Sequence, residues 1–288
     1  DTPLSVMVGD SNIFKNFISN LDKVTKTQGR ILLTGESGSG KEMAARYIHA
    51  NSERASKPFI SVNCASIAPD RMEDVLFGRD AGNSLPTDGL LSQADGGVIY
   101  FDEIADMPLV TQSKILRVLV DQKFQRVNGK SEVKVDLRVI SSTSQDLREA
   151  IKQKSFREEL YHRLNVVPIN VPSLSQRLED IPLLFDHFAK NFHETQGLNL
   201  RELSIEASTM LQTMSWPGNI RQLKNIVERV LILGDGQGEV SIEDLPSDTK
   251  SGDDNVNGVA SGTIATMPLR EAREAFEREY LITQINRF

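Results

Sequence analysis

Along residues 1–172, short apolar runs alternate with stretches that repeat their apolar positions at helical spacing. The runs at 31–34, 59–62, 98–101, 137–141 and 166–171 are rich in branched residues and read as buried strands. Helices fit 41–51, 70–77, 109–121 and 145–152, and Ile13, Phe14, Phe17, Ile18 and Leu21 form one helical stripe within residues 1–29. Strands alternating with helices predict an α/β fold, with a parallel sheet covered on both faces. Two runs at 124–127 and 133–135, separated by Asn128-Gly129, read as a hairpin inserted in that pattern.

Beyond Pro172 the strand signal stops. Helices fit 177–196, 205–214 and 219–233, the last repeating Ile220, Leu223, Val227, Val230 and Leu231 before Gly234 as a stop. Residues 173–246 therefore form a separate helical subdomain. Residues 247–268 are rich in Ser, Gly, Asp, Asn and Thr and read as a flexible linker. Leu269, Ala272, Phe276, Tyr280 and Leu281 make the stripe of a last helix at 269–288.

Composition narrows the classes. The chain of 288 residues is long enough for a sizeable core, and its hydrophobic share of 39% is ordinary for a water-soluble globular protein. No apolar run reaches membrane-spanning length and no signal segment opens the chain, so no membrane partner is expected. Cys64 is the only cysteine, which rules out an internal disulfide and suits the cytoplasm. His49, His162, His187 and His193 lack metal-ligand spacing. Of the net charge of −7, most falls between 239 and 254, where Glu239, Glu243, Asp244, Asp248, Asp253 and Asp254 face Lys250 alone. Neither part of the chain has the basic surface that nucleic acid requires.

The chemistry concentrates in Gly35-Glu36-Ser37-Gly38-Ser39-Gly40-Lys41-Glu42, between the strand at 31–34 and a helix. Glycines there permit backbone angles that let amides wrap a phosphate, with the positive end of the helix behind them. Lys41 supplies a point charge for the outer phosphates. The usual Ser or Thr after the Lys is replaced by Glu42, which then serves Mg²⁺ directly or through water. A Gly-rich turn that binds nothing is the bland alternative; strand before and helix behind favour the phosphate loop. The run at 98–101 ends in Asp102-Glu103, where Asp102 can hold Mg²⁺ and Glu103 can polarise a water. An apolar strand ending in two acids is common by itself, and its pairing with the phosphate loop gives it meaning.

Residues 35–42, 96–104, 156–164 (FREELYHRL) and 216–223 (WPGNIRQL) resemble the central AAA+ domain of NtrC-type bacterial response regulators, which activate transcription by the sigma-54 form of RNA polymerase. The resemblance spans about residues 6 to 245. It implies an ATP and Mg²⁺ site in which Val8 and Gly9 lie against the nucleotide, Thr143 senses the γ-phosphate with Ser144 beside it, and Asn63 restrains Glu103. It makes Arg157 and Arg163 arginine fingers that reach a neighbouring subunit's nucleotide, and Arg221 a second sensor on the helical lid. A surface ion pair is the bland reading of each arginine, and their place in the two motifs favours the functional one.

The last helix resembles the start of the family's Fis-like DNA-binding domain; the rest of that domain and the receiver domain are expected outside this chain. Expected partners are thus DNA, the receiver domain, a sensor histidine kinase of the NtrY type, RNA polymerase and further copies of the chain as a dimer or ring. One stretch departs from the family. Where it carries GAFTGA to grip the sigma factor, residues 76–90 are several residues shorter and lack the Phe-Thr pair, with Asp80 where Glu is usual. This is similar to the NtrX branch. The reading is an ATP-binding regulator domain controlling transcription, with slow ATP hydrolysis and nucleotide-dependent oligomerisation, that does not remodel sigma-54. A sigma-54 activator ATPase acting through another surface, and a non-hydrolysing scaffold ordered by ATP, stay open beside it.

Overall fold

The computed structural model describes residues 7–82, 85–234 and 238–246, all within the first of two units, Asp1–Pro246, into which the chain divides. The linker read at 247–268 and the helix read at 269–288 lie outside the described residues.

Helix α1 (Asn12–Thr25) starts where the Ser11 hydroxyl accepts from the Phe14 amide, and it buries Phe14, Phe17 and Leu21. Strand β1 (Ile31–Thr34), helix α2 (Lys41–Ala50), strand β2 (Phe59–Asn63) and helix α3 (Met72–Phe77) follow. Two short strands, β3 (Gly78–Arg79) and β4 (Thr87–Asp88), pair antiparallel. Next come α4 (Leu90–Gln93), β5 (Val98–Asp102), α5 (Leu109–Asp121) and the hairpin strands β6 (Lys123–Gln125) and β7 (Glu132–Lys134). Strand β8 (Arg138–Thr143), helices α6 (Leu147–Lys152) and α7 (Glu158–Leu164) and strand β9 (Val167–Asn170) complete the α/β part. Helices α8 (Ile181–Gln196), α9 (Ile205–Thr213) and α10 (Asn219–Leu233) form the lid.

The main sheet has five strands in the order β2-β5-β8-β1-β9, all paired in parallel. Side chains leave alternate faces of each strand, and both faces are covered. Leu32, Ile99, Phe101 and Val139 pack with α3, α5, α6 and α7, while Ile31, Leu33, Val98, Tyr100 and Ile140 pack with α1 and α2. The lid has its own core around Phe185, Leu211, Trp216 and Val227. This is the expected α/β architecture with a helical lid. Because β5, β8 and β1 are neighbours, their C-terminal ends bring Asp102, Thr143 and the phosphate loop to one edge of the sheet.

Several local readings shift. The hairpin pairs Phe124 with Val133 and Lys123 with Lys134, so its connection is longer than Asn128-Gly129. Asn128 has φ 63°, but Gly129 is not left-handed, and a two-residue turn of type I′ needs both. The helix read from 177 begins as a 3₁₀ turn, Leu178–Asp180, and becomes α-helical at Ile181 with proline in its first turn. Helix α7 was not anticipated, because it buries only Leu160 and Leu164. Gly234 does end α10, yet with φ −71° rather than left-handed; a Cβ there would lie 2.1 Å from the Arg201 guanidinium, so glycine serves close packing.

Candidate functional site

The phosphate loop runs from β1 to α2. Gly38 (φ 77°) and Gly40 (φ 103°) are left-handed, and a Cβ on Gly38 would stand 2.3 Å from the Gly218 carbonyl of the lid. Lys41 opens α2 and is only 5% exposed. Its Nζ donates to the carbonyls of Gly35 (2.9 Å) and Glu36 (3.0 Å) and lies 3.6 Å from Glu103 Oε1. The ammonium is thus held by the loop itself. The buried Ser39 Oγ has no partner.

Asp102, which ends β5, and Glu103 directly after it are met by hydroxyls in β8 and just beyond it. Asp102 Oδ1 accepts from Ser142 Oγ (2.6 Å), with Tyr100 Oη 3.0 Å away. Burial, followed by the Asp102 charge, pushes the Tyr100 phenol well above its ordinary pKa, which keeps it a donor. Glu103 is left-handed, with φ 51°, and its Oε2 accepts from the Ser144 amide (3.0 Å) and hydroxyl (2.9 Å). Under the pair lies Cys64, whose thiol is pushed up to about 12 by burial and by the neighbouring carboxylates.

Asn63 and Thr143, to which the resemblance gives roles at Glu103 and at the γ-phosphate, make their own hydrogen bonds elsewhere. Asn63 lines the same cavity, but its Oδ1 accepts from the Ala65 amide, in a turn of its own; Ser144 holds Glu103 instead. Thr143 is buried, and its hydroxyl closes a turn with the amide and carbonyl of Gln145. A strand alternates its faces, so Ser142 is turned to the acids and Thr143 is turned away from them.

The cavity, of about 580 Å³, is lined by polar residues of the loop and its surroundings (Ser37–Glu42, Asn63, Asp102, Glu103), by Arg177, His187, Arg221 and Lys224, and by apolar side chains (Met7, Val8, Phe14, Phe17, Leu184, Phe188, Ile220). That mixture of charged and apolar lining suits a ligand with both an apolar part and a charged part. Val8 and Arg221 line it, and Arg221 Nη1 is 3.4 Å from Ser37 Oγ. Gly9 does not reach the cavity; a Cβ on it would meet Arg177 at 2.1 Å and Phe14 at 2.6 Å, so it serves close packing. Burial lowers the pKa of His187, on the lid side of the cavity. Arg157 and Arg163 do not line it. The Arg157 Nε donates to the Leu109 carbonyl (3.1 Å) beside a separate surface hollow along α5, and Arg163 is exposed on α7.

For a divalent ion the donors are few. Glu42 is paired through Oε1 with Arg46 (2.7 Å), and among the described residues no group of three or more His, Cys, Asp or Glu could hold a metal. One or two carboxylates completed by phosphate oxygens and water is the set Mg²⁺ ordinarily takes, so Asp102 with Glu42 fits it.

Sequence reasoning missed the residues that join lid to loop. Asn219, fully buried with φ 50°, accepts from the Leu174 amide (2.7 Å) and donates to Glu36 Oε2 (2.9 Å) and the Ser37 carbonyl (3.1 Å). An Asn after Pro-Gly, where a helix starts, was the signal, since Asn tolerates the left-handed region. Asp180 was missed too. It accepts from Asp10 N (2.7 Å), Ser11 N (2.9 Å) and Ser11 Oγ (2.6 Å) and pairs with Arg177 (2.8 Å), fastening the chain before α1 to the lid.

Two family models match the chain: "Sigma-54 interaction domain" over residues 7–170 and "AAA+ ATPase lid domain" over 175–261. The nitrogen assimilation regulatory protein NtrX of Azorhizobium caulinodans is 49% identical over 286 residues, 98% of this chain and 63% of that protein. The DNA-binding transcriptional regulator NtrC of Salmonella typhimurium is 41% identical over 251 residues, 85% of this chain and 53% of that protein. A crystal structure of NtrX from Brucella abortus in complex with ATP superposes with a TM-score of 0.83 at 48% identity, over 98% of this chain and 64% of that one. The chain thus spans less than two thirds of the length of these relatives. Among the described residues, no helix is long and apolar enough to cross a membrane.

Proposed function

This chain belongs to the sigma-54 interaction family of AAA+ domains, and from that premise we propose that it binds ATP with Mg²⁺ and hydrolyses it slowly as the central domain of an NtrX-like response regulator. The observation that carries the reading is that Lys41, 3.6 Å from Glu103, lines one cavity together with Asp102, the phosphate loop and several apolar side chains. The Brucella relative crystallised with ATP supports it. Lys41 would leave the carbonyls of Gly35 and Glu36 for the outer phosphates, and the loop amides would wrap the β-phosphate. Bound Mg²⁺ supplies charge neutralisation at the outer phosphates. Asp102 and Glu42 are the residues that would hold it. Glu103 orients the attacking water once Ser144 releases its Oε2. Arg221 carries the state of the loop into the lid. Arg157 and Arg163, turned away from this chain's own cavity, serve the nucleotide of a neighbouring copy, so turnover requires association.

The loop at 76–90 supports a regulator that does not remodel sigma-54. Its stems are fixed: Arg79 pairs with Asp74, Arg126 with Asp88, and the Asp80 amide donates to the Val127 carbonyl. Leu85, 91% exposed, is the one sizeable apolar side chain between 83 and 89. Burying one Leu yields about 1.5–3 kcal/mol, little against the cost of ordering and docking a loop. Regulation then acts through DNA-binding domains beyond this chain, arranged by nucleotide at promoters of the housekeeping sigma factor, with NtrY-type kinase and receiver domain upstream. The test is open-complex formation on a sigma-54 promoter by full-length protein with ATP: none is expected, and ATP-dependent opening overturns this part. Turnover measured in parallel separates a slow ATPase from an ATP-ordered scaffold.

A further inference from the structure

The surroundings of the Asp102 side chain point to a supporting pair of hydroxyls. We propose that Tyr100 and Ser142 form a buried hydroxyl relay that fixes Asp102 Oδ1 and thereby presents Oδ2 to a divalent cation. The inference rests on the nucleotide reading above and adds two positioning residues to it.

Tyr100 and Ser142 lie on adjacent parallel strands, β5 and β8, and both are fully buried. Tyr100 Oη is 2.8 Å from Ser142 Oγ and 3.0 Å from Asp102 Oδ1, and Ser142 Oγ is 2.6 Å from the same Oδ1. Each hydroxyl has one proton. A carboxylate only accepts, and its shortest contact, 2.6 Å, is with Ser142, so the relay runs from Tyr100 to Ser142 and from Ser142 to Asp102. Such a chain strengthens each member. The Glu103 amide also points at Ser142 Oγ, at 3.4 Å, so the second acid is tethered to the same hydroxyl. All the hydroxyl contacts fall on Oδ1, and Asp102 itself lines the cavity with Lys41 and Glu42. A carboxylate anchored by one oxygen has its rotation stopped, and the other oxygen keeps its lone pairs for a metal. Outer-shell hydrogen bonds of this kind tune metal affinity through ligand orientation. A purely space-filling role would be served as well by Phe at 100 and Ala at 142.

The experiment is a Mg²⁺ titration of the whole chain at fixed ATP, read by melting temperature, with Mn²⁺ binding by electron paramagnetic resonance on the same samples. Unaltered chain, Tyr100→Phe, Ser142→Ala, Asp102→Asn and Lys41→Ala are compared. Tyr100→Phe and Ser142→Ala should keep the shift produced by ATP without metal and raise the Mg²⁺ and Mn²⁺ midpoints about tenfold or more, with the midpoint in Asp102→Asn beyond theirs. Midpoints equal to the unaltered chain in either variant overturn the relay, and so does a loss of metal-free ATP binding in parallel, which marks a structural role. Absence of any ATP shift in the unaltered chain, or an undiminished one in Lys41→Ala, defeats the nucleotide reading and this inference with it.

Discussion

The Asn219 amide nitrogen donates to Glu36 Oε2 at 2.9 Å and to the Ser37 carbonyl at 3.1 Å, so the first residue of the last lid helix is bonded to the phosphate loop. Its Oδ1 meanwhile takes the buried Leu174 amide. Asn219→Ala should cost about 1–3 kcal/mol in denaturant unfolding, because that amide is left without a partner. Asn219→Asp keeps the acceptor but sets a carboxylate against Glu36, so it should lose ATP affinity beyond its loss of stability. Equal ATP affinity in both variants and the unaltered chain would show that lid and loop are not coupled here.

Acid stability depends on Asp180. Burial would raise its pKa, but the hydrogen bonds from Ser11 and Asp10 and the charge of Arg177 outweigh that and hold it below the ordinary carboxylate value. A group whose folded pKa is depressed stabilises the fold above its unfolded pKa and loses that contribution as pH falls through the folded one. Unfolding free energy should therefore fall as pH drops below about 4. Asp180→Asn should lower stability at pH 7 by about 3 kcal/mol, since Arg177 would stay buried without its partner, and should flatten the acid slope. Parallel curves would contradict this.

The Cys64 thiol, with its pKa pushed up to about 12 and 2% exposed, should resist maleimide or Ellman's reagent at pH 8 in the folded chain and react fully in denaturant. Fast labelling of native protein would mean that β2 and the acids are not packed as described.

Fingers acting between copies make turnover rise faster than linearly with protein concentration. Lys41→Ala mixed with Arg163→Ala should regain part of the activity, each supplying what the other lacks. Turnover strictly proportional to concentration would remove the role of Arg163 in a neighbour.

What the sequence revealed followed physical scale. Strand positions were legible because branched apolar runs at 31–34 and 98–101 are buried on both faces. The phosphate loop was legible because Gly35, Gly38 and Gly40 stand between a strand and a helix with Lys41 directly behind them. Side-chain partners were not. Whether Ser142 or Thr143 faces the acids depends on the register of β8 against β5, which no local pattern states. The Asp180 cluster joins residues about 170 positions apart. Glu103 finds Ser144 rather than Asn63 because the left-handed turn at Glu103 aims its side chain toward the end of β8.

ATP entering the cavity between loop and lid, held through Lys41, should stabilise the fold. The most direct measurement is the melting shift of the whole chain with saturating Mg-ATP, beside Lys41→Ala. Ligand at about 100 times its dissociation constant stabilises by about 2.7 kcal/mol, a rise of about 5 to 10 °C for a domain near this size. The unaltered chain should show that rise and Lys41→Ala should lose most of it; no rise, or the same rise in both, would contradict the account.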